Sequence, residues 1–123
     1  MKIPDKILLF LLSFFLFVSC KKESEIIVFH DYQFLNTLIK NGIDSDHDGS
    51  ISFTEAGAVK TLNLNGKQIS DLAGIGSFVN LEKLECRQNR LTTLNLTGNT
   101  SLKFLDCSWN ALTTLNLSKN TAL

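Results

Sequence analysis

The chain has 123 residues, of which 44% are hydrophobic and 20% are charged. This composition fits one small folded domain and excludes an intrinsically disordered chain. Twelve lysines and arginines balance twelve aspartates and glutamates. The chain therefore lacks the positive excess that neutralises a phosphate backbone, and we expect no nucleic-acid partner.

The first segment has the layout of a secretory signal. Lys2 and Lys6 precede an apolar run, residues 7–18, that is too short to cross the roughly 30 Å hydrocarbon core of a bilayer as a stable helix. The run leads into FVSC, residues 17–20, which resembles the lipobox of bacterial lipoproteins, although Phe17 stands where leucine is usual. The resemblance implies a signal peptide over residues 1–19, a lipidated Cys20 and a tether over residues 20–28.

A lipid on Cys20 would attach the protein to a membrane of the cell envelope, at the outer membrane or cell surface. Each buried methylene of an acyl chain contributes about 0.8 kcal/mol, so several chains hold a protein stably on a bilayer. A secreted protein and an uncleaved membrane anchor are the alternatives.

A helical cap is predicted after the tether, over residues 29–58. Apolar residues at helical spacing predict a helix over Tyr32–Lys40 with one apolar face. Asp31 can cap the start of this helix, and Gly42 can end it because glycine readily adopts positive φ. Residues 54–59 can form a second helical turn.

Between the two helical segments lies the acidic loop DSDHDGSISFTE, residues 44–55. Its oxygen-bearing side chains alternate around Gly49, and this pattern resembles an EF-hand loop. The resemblance implies calcium as the cofactor, with Ser50 acting through its backbone carbonyl. The implied ligands are Asp44, Asp46, Asp48, Ser50, Ser52 and Glu55. An acidic turn that binds no metal is the alternative.

Calcium in this loop has a predicted structural role. Only one such loop is present, as in the dockerin-type modules of extracellular proteins, and Gly57 weakens the helix that leaves it. Extracellular calcium can saturate even a weak site. We therefore expect calcium to fix the cap onto the rest of the fold rather than to act as a signal.

The rest of the chain, residues 59–123, repeats. Leu81, Leu102 and Leu123 open units that are 21 residues apart, and Val59 opens a first unit of 22. This period predicts a leucine-rich-repeat solenoid, an α/β repeat fold with short parallel strands. The repeats resemble those of extracellular bacterial proteins of the internalin-like family. The resemblance implies a surface interaction module and names no ligand.

Alternation within a unit predicts which side chains face inward. A strand over residues 83–87 would direct alternate residues outward, and the predicted interior positions of the second unit are Leu81, Leu84, Cys86 and Leu91. Asn89 and Asn110 follow the strands, where an inward amide can satisfy unpaired backbone groups of the turn. Lys67 holds this position in the first unit, so the asparagine ladder should begin in the second.

Outward strand residues and the turns beside them are the candidate ligand-binding positions. Aromatic residues are enriched at interfaces, and two aromatic side chains fall in this part of the third unit. The candidates are Lys83, Glu85, Arg87, Phe104, Asp106 and Trp109. The alternative is that Phe104 and Trp109 pack on neighbouring coils or on sequence beyond Leu123.

No catalytic arrangement is indicated by the sequence. His30 and His47 are the only histidines, and neither can be combined with a nucleophile and an orienting carboxylate. Cys86 and Cys107 share one inward position in successive units. We expect buried free thiols, because in-register side chains are parallel and their separation disfavours a disulfide.

Taken together, these patterns predict a non-enzymatic, calcium-stabilised, lipid-anchored module that binds a protein or a glycan on its strands. A structural spacer for display and a calcium-responsive regulator are the alternatives. Leu123 opens another unit without a polar capping segment, so we expect the repeats to continue beyond it.

Overall fold

A computed structural model describes residues 25–123 of the chain. In chain order they form helix α1 (Tyr32–Lys40), helix α2 (Phe53–Gly57), strand β1 (Thr61–Asn63), a 3-10 helix (Ile75–Ser77), strand β2 (Lys83–Glu85) and strand β3 (Phe104–Asp106). None of the helices in these residues is long and apolar enough to cross a membrane. The predicted signal peptide and the lipidation site Cys20 lie outside the described residues.

The repeats form one three-stranded parallel sheet in the order β1-β2-β3. Leu62 pairs with Leu84, and Leu84 pairs with Leu105, so successive coils advance by the two periods that the sequence predicts. Parallel neighbours require a crossover between strands, and in the first coil that crossover contains the 3-10 helix Ile75–Ser77. The prediction of a leucine-rich-repeat α/β architecture is confirmed.

Leucine side chains fill the space between the strands and the crossovers. All four positions predicted to face inward in the second coil, Leu81, Leu84, Cys86 and Leu91, are fully buried. Helix α1 contributes Phe34 and Leu38 to the same cluster. Because each buried leucine contributes about 2 kcal/mol, this shared core is the main force that holds the cap and the coils together.

Asparagine side chains close the turns that follow β2 and β3. Nδ2 of Asn89 donates to the carbonyls of Leu64 at 2.8 Å and Cys86 at 2.9 Å. Oδ1 of Asn89 accepts from the backbone N–H groups of Lys67 at 3.0 Å and Ile69 at 3.1 Å. Asn110 repeats this arrangement one coil later. The predicted ladder, beginning in the second coil, is confirmed.

The carboxylate of Asp31 joins helix α1 to the first coil. One oxygen caps the helix by accepting from the N–H groups of Gln33 at 2.8 Å and Phe34 at 3.2 Å. The other accepts from Ser70 at 2.7 Å and Asp71 at 3.1 Å. Burial alone would raise the pKa of Asp31, but these N–H donors outweigh it and lower that pKa.

Two predicted elements have different bounds in the structure. Helix α2 occupies Phe53–Gly57 rather than residues 54–59, because Ser52 accepts from the N–H of Glu55 and begins the helix one residue earlier. Strand β2 occupies Lys83–Glu85 rather than residues 83–87. Arg87 lies beyond it, since the N–H of Arg87 turns to Oδ1 of Asn65 at 2.9 Å.

The packed part of the chain begins before residue 29, where the cap was predicted to start. Ile26 forms an antiparallel bridge with Ser52, and the N–H of Ile27 donates to the carbonyl of Ile51 at 2.9 Å. The Ile27 side chain is buried. The last residues assigned to the tether therefore pack against the acidic loop.

Candidate functional site

Three aspartates of the acidic loop lie close enough to hold one metal ion. One carboxylate oxygen from each of Asp44, Asp46 and Asp48 lies within 4.8 Å of the others. Asp44 is buried, and its two oxygens accept from the N–H groups of Asp48 at 3.1 Å and Gly49 at 3.0 Å. These bonds fold the loop around its first acidic residue and gather the three side chains.

Two residues of the loop adopt the left-handed conformation. Gly49 has φ of 83°, as the EF-hand pattern requires at its sharp turn. His47 also has a positive φ, 60°, which the pattern did not indicate, and its side chain is exposed. His47 therefore contributes to the turn through its backbone, and its side chain is exposed to solvent.

Glu55 and Ser52 bind each other rather than joining the three aspartates. Oε2 of Glu55 accepts from the N–H and the hydroxyl of Ser52, each at 2.9 Å, and Oε1 accepts from the N–H of Ser45 at 2.7 Å. Burial would raise the pKa of Glu55, but these donors outweigh it and lower that pKa to about 2. The carboxylate is thus ionised and directed at the two ends of the loop.

The chemistry of the loop fits a hard cation. All of the predicted ligands offer oxygen, and calcium prefers six to eight oxygen ligands. The aspartate side chains are already gathered, and the N–H of Ser50 donates to Oδ1 of Asp48 at 2.8 Å, which leaves the predicted ligand, the Ser50 carbonyl, unaffected. Glu55 would have to redirect one oxygen to complete the predicted set.

The outward side of the sheet carries an aromatic residue beside an ion pair. Phe104 on β3 is 47% exposed. Nζ of Lys83 lies 5.1 Å from the centre of its ring and 3.1 Å from a carboxylate oxygen of Glu85. Such a cation over an exposed ring contributes about 0.5 kcal/mol. The contact fixes the lysine more than it stabilises the fold.

The other two charged candidates, Asp106 and Arg87, form a second group beside Phe104 and the Lys83–Glu85 ion pair. Asp106 accepts from the hydroxyl of Ser108 at 2.6 Å and from its N–H at 3.1 Å. These bonds, with a smaller contribution from the charge of Arg87, lower the pKa of Asp106. Arg87 is exposed. We call the six predicted candidates together the strand face: Lys83, Glu85, Arg87, Phe104, Asp106 and Trp109.

Trp109 is 78% exposed and lies in the turn after β3. Its φ is 55°, as is that of Gln88 at the equivalent place in the second coil, while Gly66 in the first coil has φ of 64°. Sequence reasoning placed Trp109 among the candidates but missed Gln88 and the left-handed turn. Gly66 was the available signal, since glycine is favoured at positive φ.

The two aromatic candidates differ in their contacts with the neighbouring coil: Lys83 lies over the ring of Phe104, whereas Trp109 is largely exposed. The turn position of Trp109 is exposed in all three coils, because Gly66 and Gln88 are exposed as well. The exposure of Trp109 is therefore a property of the turn.

The cysteines and histidines do not form a reactive site within residues 25–123. Cys86 and Cys107 are free thiols. Burial raises the pKa of Cys86 to about 12 and raises that of Cys107, so both remain protonated and poorly nucleophilic near neutral pH. His30 is exposed, with Nδ1 lying 3.8 Å from an oxygen of Asp71.

Comparison with known proteins identifies the fold. No protein-family model and no curated protein matches the chain. Among solved structures, the functional domain of InlJ from Listeria monocytogenes, which includes a cysteine ladder, is 30% identical with a TM-score of 0.62. The match covers 71% of this chain and 20% of that chain.

Two other structures extend the comparison. The internalin InlF from Listeria monocytogenes is 20% identical, with a TM-score of 0.73 over 84% of this chain and 32% of that one. A structure of CBM51-2 in complex with GlcNAc and of INT domains, from Clostridium perfringens ZmpB, is 28% identical, with a TM-score of 0.57 over 67% of this chain and 17% of that one. The chain thus spans at most about a third of each of these three structures. Its fold is that of an internalin-like leucine-rich repeat.

Proposed function

We propose that this protein is a non-enzymatic, cell-surface binding module that takes a protein or glycan ligand on its strand face. The observation that carries the proposal is that two exposed aromatic rings, Phe104 and Trp109, lie close together in the chain on the strand and turn of the third coil. The other exposed aromatic rings within residues 25–123, Tyr32 and Phe53, lie on the two helices of the cap. Exposed aromatic residues and arginine are the side chains that most often dominate binding energy.

The charged side chains around the rings also support binding. Lys83 is held by both Glu85 and Phe104, and Asp106 is held by Ser108. Side chains that are ordered before binding lose less conformational entropy when a ligand arrives. The similarity to internalins and to a structure that contains a carbohydrate-binding module in complex with GlcNAc is consistent with either ligand class.

Alanine substitutions on the strand face test this function. Purified full chain would be measured by biolayer interferometry against immobilised fibronectin, collagen and a panel of neutral oligosaccharides. Phe104→Ala and Arg87→Ala should weaken binding at least about tenfold, as expected for residues at the centre of an interface.

Phe53→Ala is the matched control, because Phe53 is 50% exposed and Phe104 is 47% exposed but Phe53 lies on helix α2 of the cap. It should bind like the wild type. Equal binding by Phe104→Ala, Arg87→Ala and wild type contradicts the proposal. So does a wild-type protein that binds no member of the panel.

We also propose that calcium binds the acidic loop and stabilises the cap. Asp44, Asp46 and Asp48 would bind it through side-chain oxygens, Ser50 through its carbonyl, and Ser52 and Glu55 would complete the set. The gathered aspartates support this assignment. Bound calcium would supply the positive charge that offsets their mutual repulsion.

Chelation tests the calcium proposal. We expect 2 mM calcium to raise the midpoint of thermal unfolding by several degrees over EGTA, because a ligand that binds only the folded state stabilises it. Asp46→Ala removes a ligand oxygen and should remove most of this difference. The control is His47→Asn, which changes a neighbouring residue that is not a predicted ligand to one that tolerates positive φ. This variant should keep the difference in midpoint between calcium and EGTA. Identical midpoints in calcium and EGTA would rule the site out.

Attachment to the outer membrane or cell surface through a lipid on Cys20 is the third part of the proposal. It is supported by the FVSC sequence before the charged segment. Metabolic labelling with palmitate should mark the wild type and not Cys20→Ser. An unlabelled wild type found in the medium would contradict it.

A further inference from the structure

The turns after the strands carry three exposed cations. Lys67 lies in the turn of the first coil, and Arg87 and Arg90 lie in that of the second. The N–H of Gly66 donates to the carbonyl of Arg87 at 3.0 Å, and the N–H of Lys67 donates to Oδ1 of Asn89 at 3.0 Å. The two turns are therefore in direct contact along one edge of the coils. We call this edge, with the tryptophan of the third turn, the turn edge: Lys67, Arg87, Arg90 and Trp109.

Trp109 stands beside these cations in the next turn. The N–H of Gln88, which follows Arg87, donates to the carbonyl of Ser108 at 3.0 Å, and Ser108 precedes Trp109 in the chain. The indole of Trp109 is largely exposed. An apolar ring is thus open to a ligand next to the cationic side chains.

On the strand side of the coils, the lysines are paired with carboxylates. Nζ of Lys83 lies 3.1 Å from an oxygen of Glu85. Glu82 takes two lysines, with Nζ of Lys103 at 2.9 Å and Nζ of Lys60 at 4.0 Å. The chain therefore supplies its own anions to the cations of this side.

The cations of the turn edge have no such partners within residues 25–123. No ion pair engages Lys67, Arg87 or Arg90, and the side chains of Lys67 and Arg87 make no hydrogen bond either. Nη2 of Arg90 donates to Oε1 of Gln68 at 3.2 Å, which is a neutral acceptor. An ammonium and two guanidinium groups are therefore available to an anionic ligand.

The acids beside the turn edge are engaged by other donors. Asp31 accepts from N–H groups of helix α1 and of the first coil, and Asp71 accepts from the N–H of Ala73 at 2.7 Å. Asp106 accepts from the hydroxyl of Ser108 at 2.6 Å. These three acids balance the formal charge of the three cations, so the case for an anionic ligand rests on the unused donors of the cations and not on a net positive charge.

The side chains of the turn edge favour a protein as the source of the anion. Arginine and tryptophan are enriched at protein interfaces and often dominate their binding energy. The planar guanidinium of arginine matches the two oxygens of a carboxylate. A polypeptide segment can offer carboxylates for the cations and an apolar side chain for the indole.

We propose that the turn edge binds an acidic segment of a partner protein, with its carboxylates on Lys67, Arg87 and Arg90 and an apolar side chain on Trp109. This inference rests on the proposed binding function and selects protein from its two ligand classes. It also places the contact on the turns, beside the strand.

Titration with a model peptide tests the site. The protein contains one tryptophan, so its intrinsic fluorescence reports on the turn edge. Purified full chain would be titrated with an octapeptide of alternating aspartate and leucine, with the same peptide carrying asparagine for aspartate, and with polygalacturonate. The aspartate peptide should change the emission saturably, and the asparagine peptide should not. Its affinity should fall between about 20 mM and about 200 mM salt, because salt screens exposed charges.

Charge variants locate the site. Lys67→Ala, Arg87→Ala and Arg90→Ala should each raise the Kd of the aspartate peptide about fivefold, the loss expected for one exposed ion pair. The matched control is Lys60→Ala, since Lys60 is an exposed lysine of the same coil that is already paired with Glu82. It should leave the Kd unchanged.

Trp109→Gln separates binding from folding. The second coil carries glutamine at this position with the same φ of 55°, so the midpoint of thermal unfolding should be kept. The Kd of the aspartate peptide, measured by calorimetry, should rise about tenfold.

Four results would overturn the turn edge as a site for acidic protein segments. They are no saturable binding of the aspartate peptide, an unchanged Kd in the three charge variants, an equal loss in Lys60→Ala, and binding of polygalacturonate alone. If the aspartate peptide fails while Phe104→Ala still abolishes binding to fibronectin or collagen, only the turn edge is wrong and the proposed binding function stands. Failure of both assays rejects both.

Discussion

Besides the shared apolar core, two kinds of polar group make contacts between segments of the fold: carboxylates in the cap and neutral amides between the coils. In the cap, the carboxylate of Asp31 accepts from backbone N–H groups of both helix α1 and the first coil, and Glu55 accepts from those of Ser45 and Ser52. Between the coils, the neutral amides of Asn89 and Asn110 do the equivalent work. A carboxylate can be protonated and an amide does not titrate. The attachments of the cap should therefore depend on pH, and those between the coils should not.

Loss of an asparagine from the ladder should have the largest effect on stability. Asn89→Ala leaves the carbonyls of Leu64 and Cys86 and the N–H groups of Lys67 and Ile69 without their partner. Unsatisfied buried groups cost about 1 to 3 kcal/mol each when water cannot reach them, so we expect a loss of about 3 kcal/mol. Urea unfolding at pH 7 measures it.

Asn95→Ala is the control for that substitution. Asn95 is exposed, and its side chain accepts only from the N–H and the hydroxyl of Thr97. Asn95→Ala should lower the free energy of unfolding by less than about 1 kcal/mol. Equal losses in the two variants would mean that the ladder does not hold the coils.

Asp31 should be the second largest contributor, and two substitutions divide its role. Asp31→Ala removes the acceptor for both the helix and the first coil, and we expect a loss of about 2 kcal/mol. Asparagine caps a helix as well as aspartate does, but its NH₂ cannot accept from Ser70 and Asp71. Asp31→Asn should therefore lose about 1 kcal/mol, measured by the same unfolding experiment. An Asn variant as unstable as the Ala variant would show that the helix cap contributes nothing, and an Asn variant as stable as the wild type would show the same of the contact with the first coil.

Acid should destabilise the cap before the coils. The folded pKa of Glu55 is about 2 and that of Asp31 is also lowered, whereas carboxyls in the unfolded chain titrate near about 4. The ionised carboxylates of Glu55 and Asp31 therefore stabilise the folded state fully above about pH 4, and this stabilisation is lost as the pH falls from about 4 towards 2. Unfolding measured between pH 7 and pH 2.5 should show this decline.

Glu55→Gln sharpens the acid experiment. Glutamine keeps the reciprocal bonds with Ser52 at the start of helix α2 but cannot titrate. Its NH₂ cannot accept from the N–H of Ser45, so we expect a loss of about 1 kcal/mol at pH 7, and the stability of this variant should decline less steeply with acid. An acid profile identical to that of the wild type would place the titrating group elsewhere.

The same contrast explains which features the sequence could predict. Helix α1 has the predicted bounds, and the coils have the predicted phase, because periodic apolar residues and the Asp31 cap are local signals. The bonds from Asp31 to Ser70 and Asp71 cross about 40 residues, and no local pattern encodes them. The direction of the Glu55 side chain was also missed, since its chosen donors depend on how the loop closes.

The candidate site divides in a similar way. Alternation along β2 and β3 placed Lys83, Glu85 and Phe104 on one surface, and the acidic pattern gathered three aspartates. Gln88 was missed because its side chain owes its exposure to a backbone conformation that glutamine rarely adopts. Composition and spacing therefore did not predict the left-handed backbone conformation of this turn, which depends on the neighbouring coils.

The smallest effect should come from a matched pair of phenylalanines, one in each region. Phe104→Ala loses the contact with Lys83, which contributes about 0.5 kcal/mol, and Phe53→Ala removes a side chain of similar exposure from the cap. Both should change the free energy of unfolding by less than about 1 kcal/mol in urea at pH 7. A larger loss in Phe104→Ala would mean that its ring packs the coils together, and its effect on binding would then report folding rather than recognition.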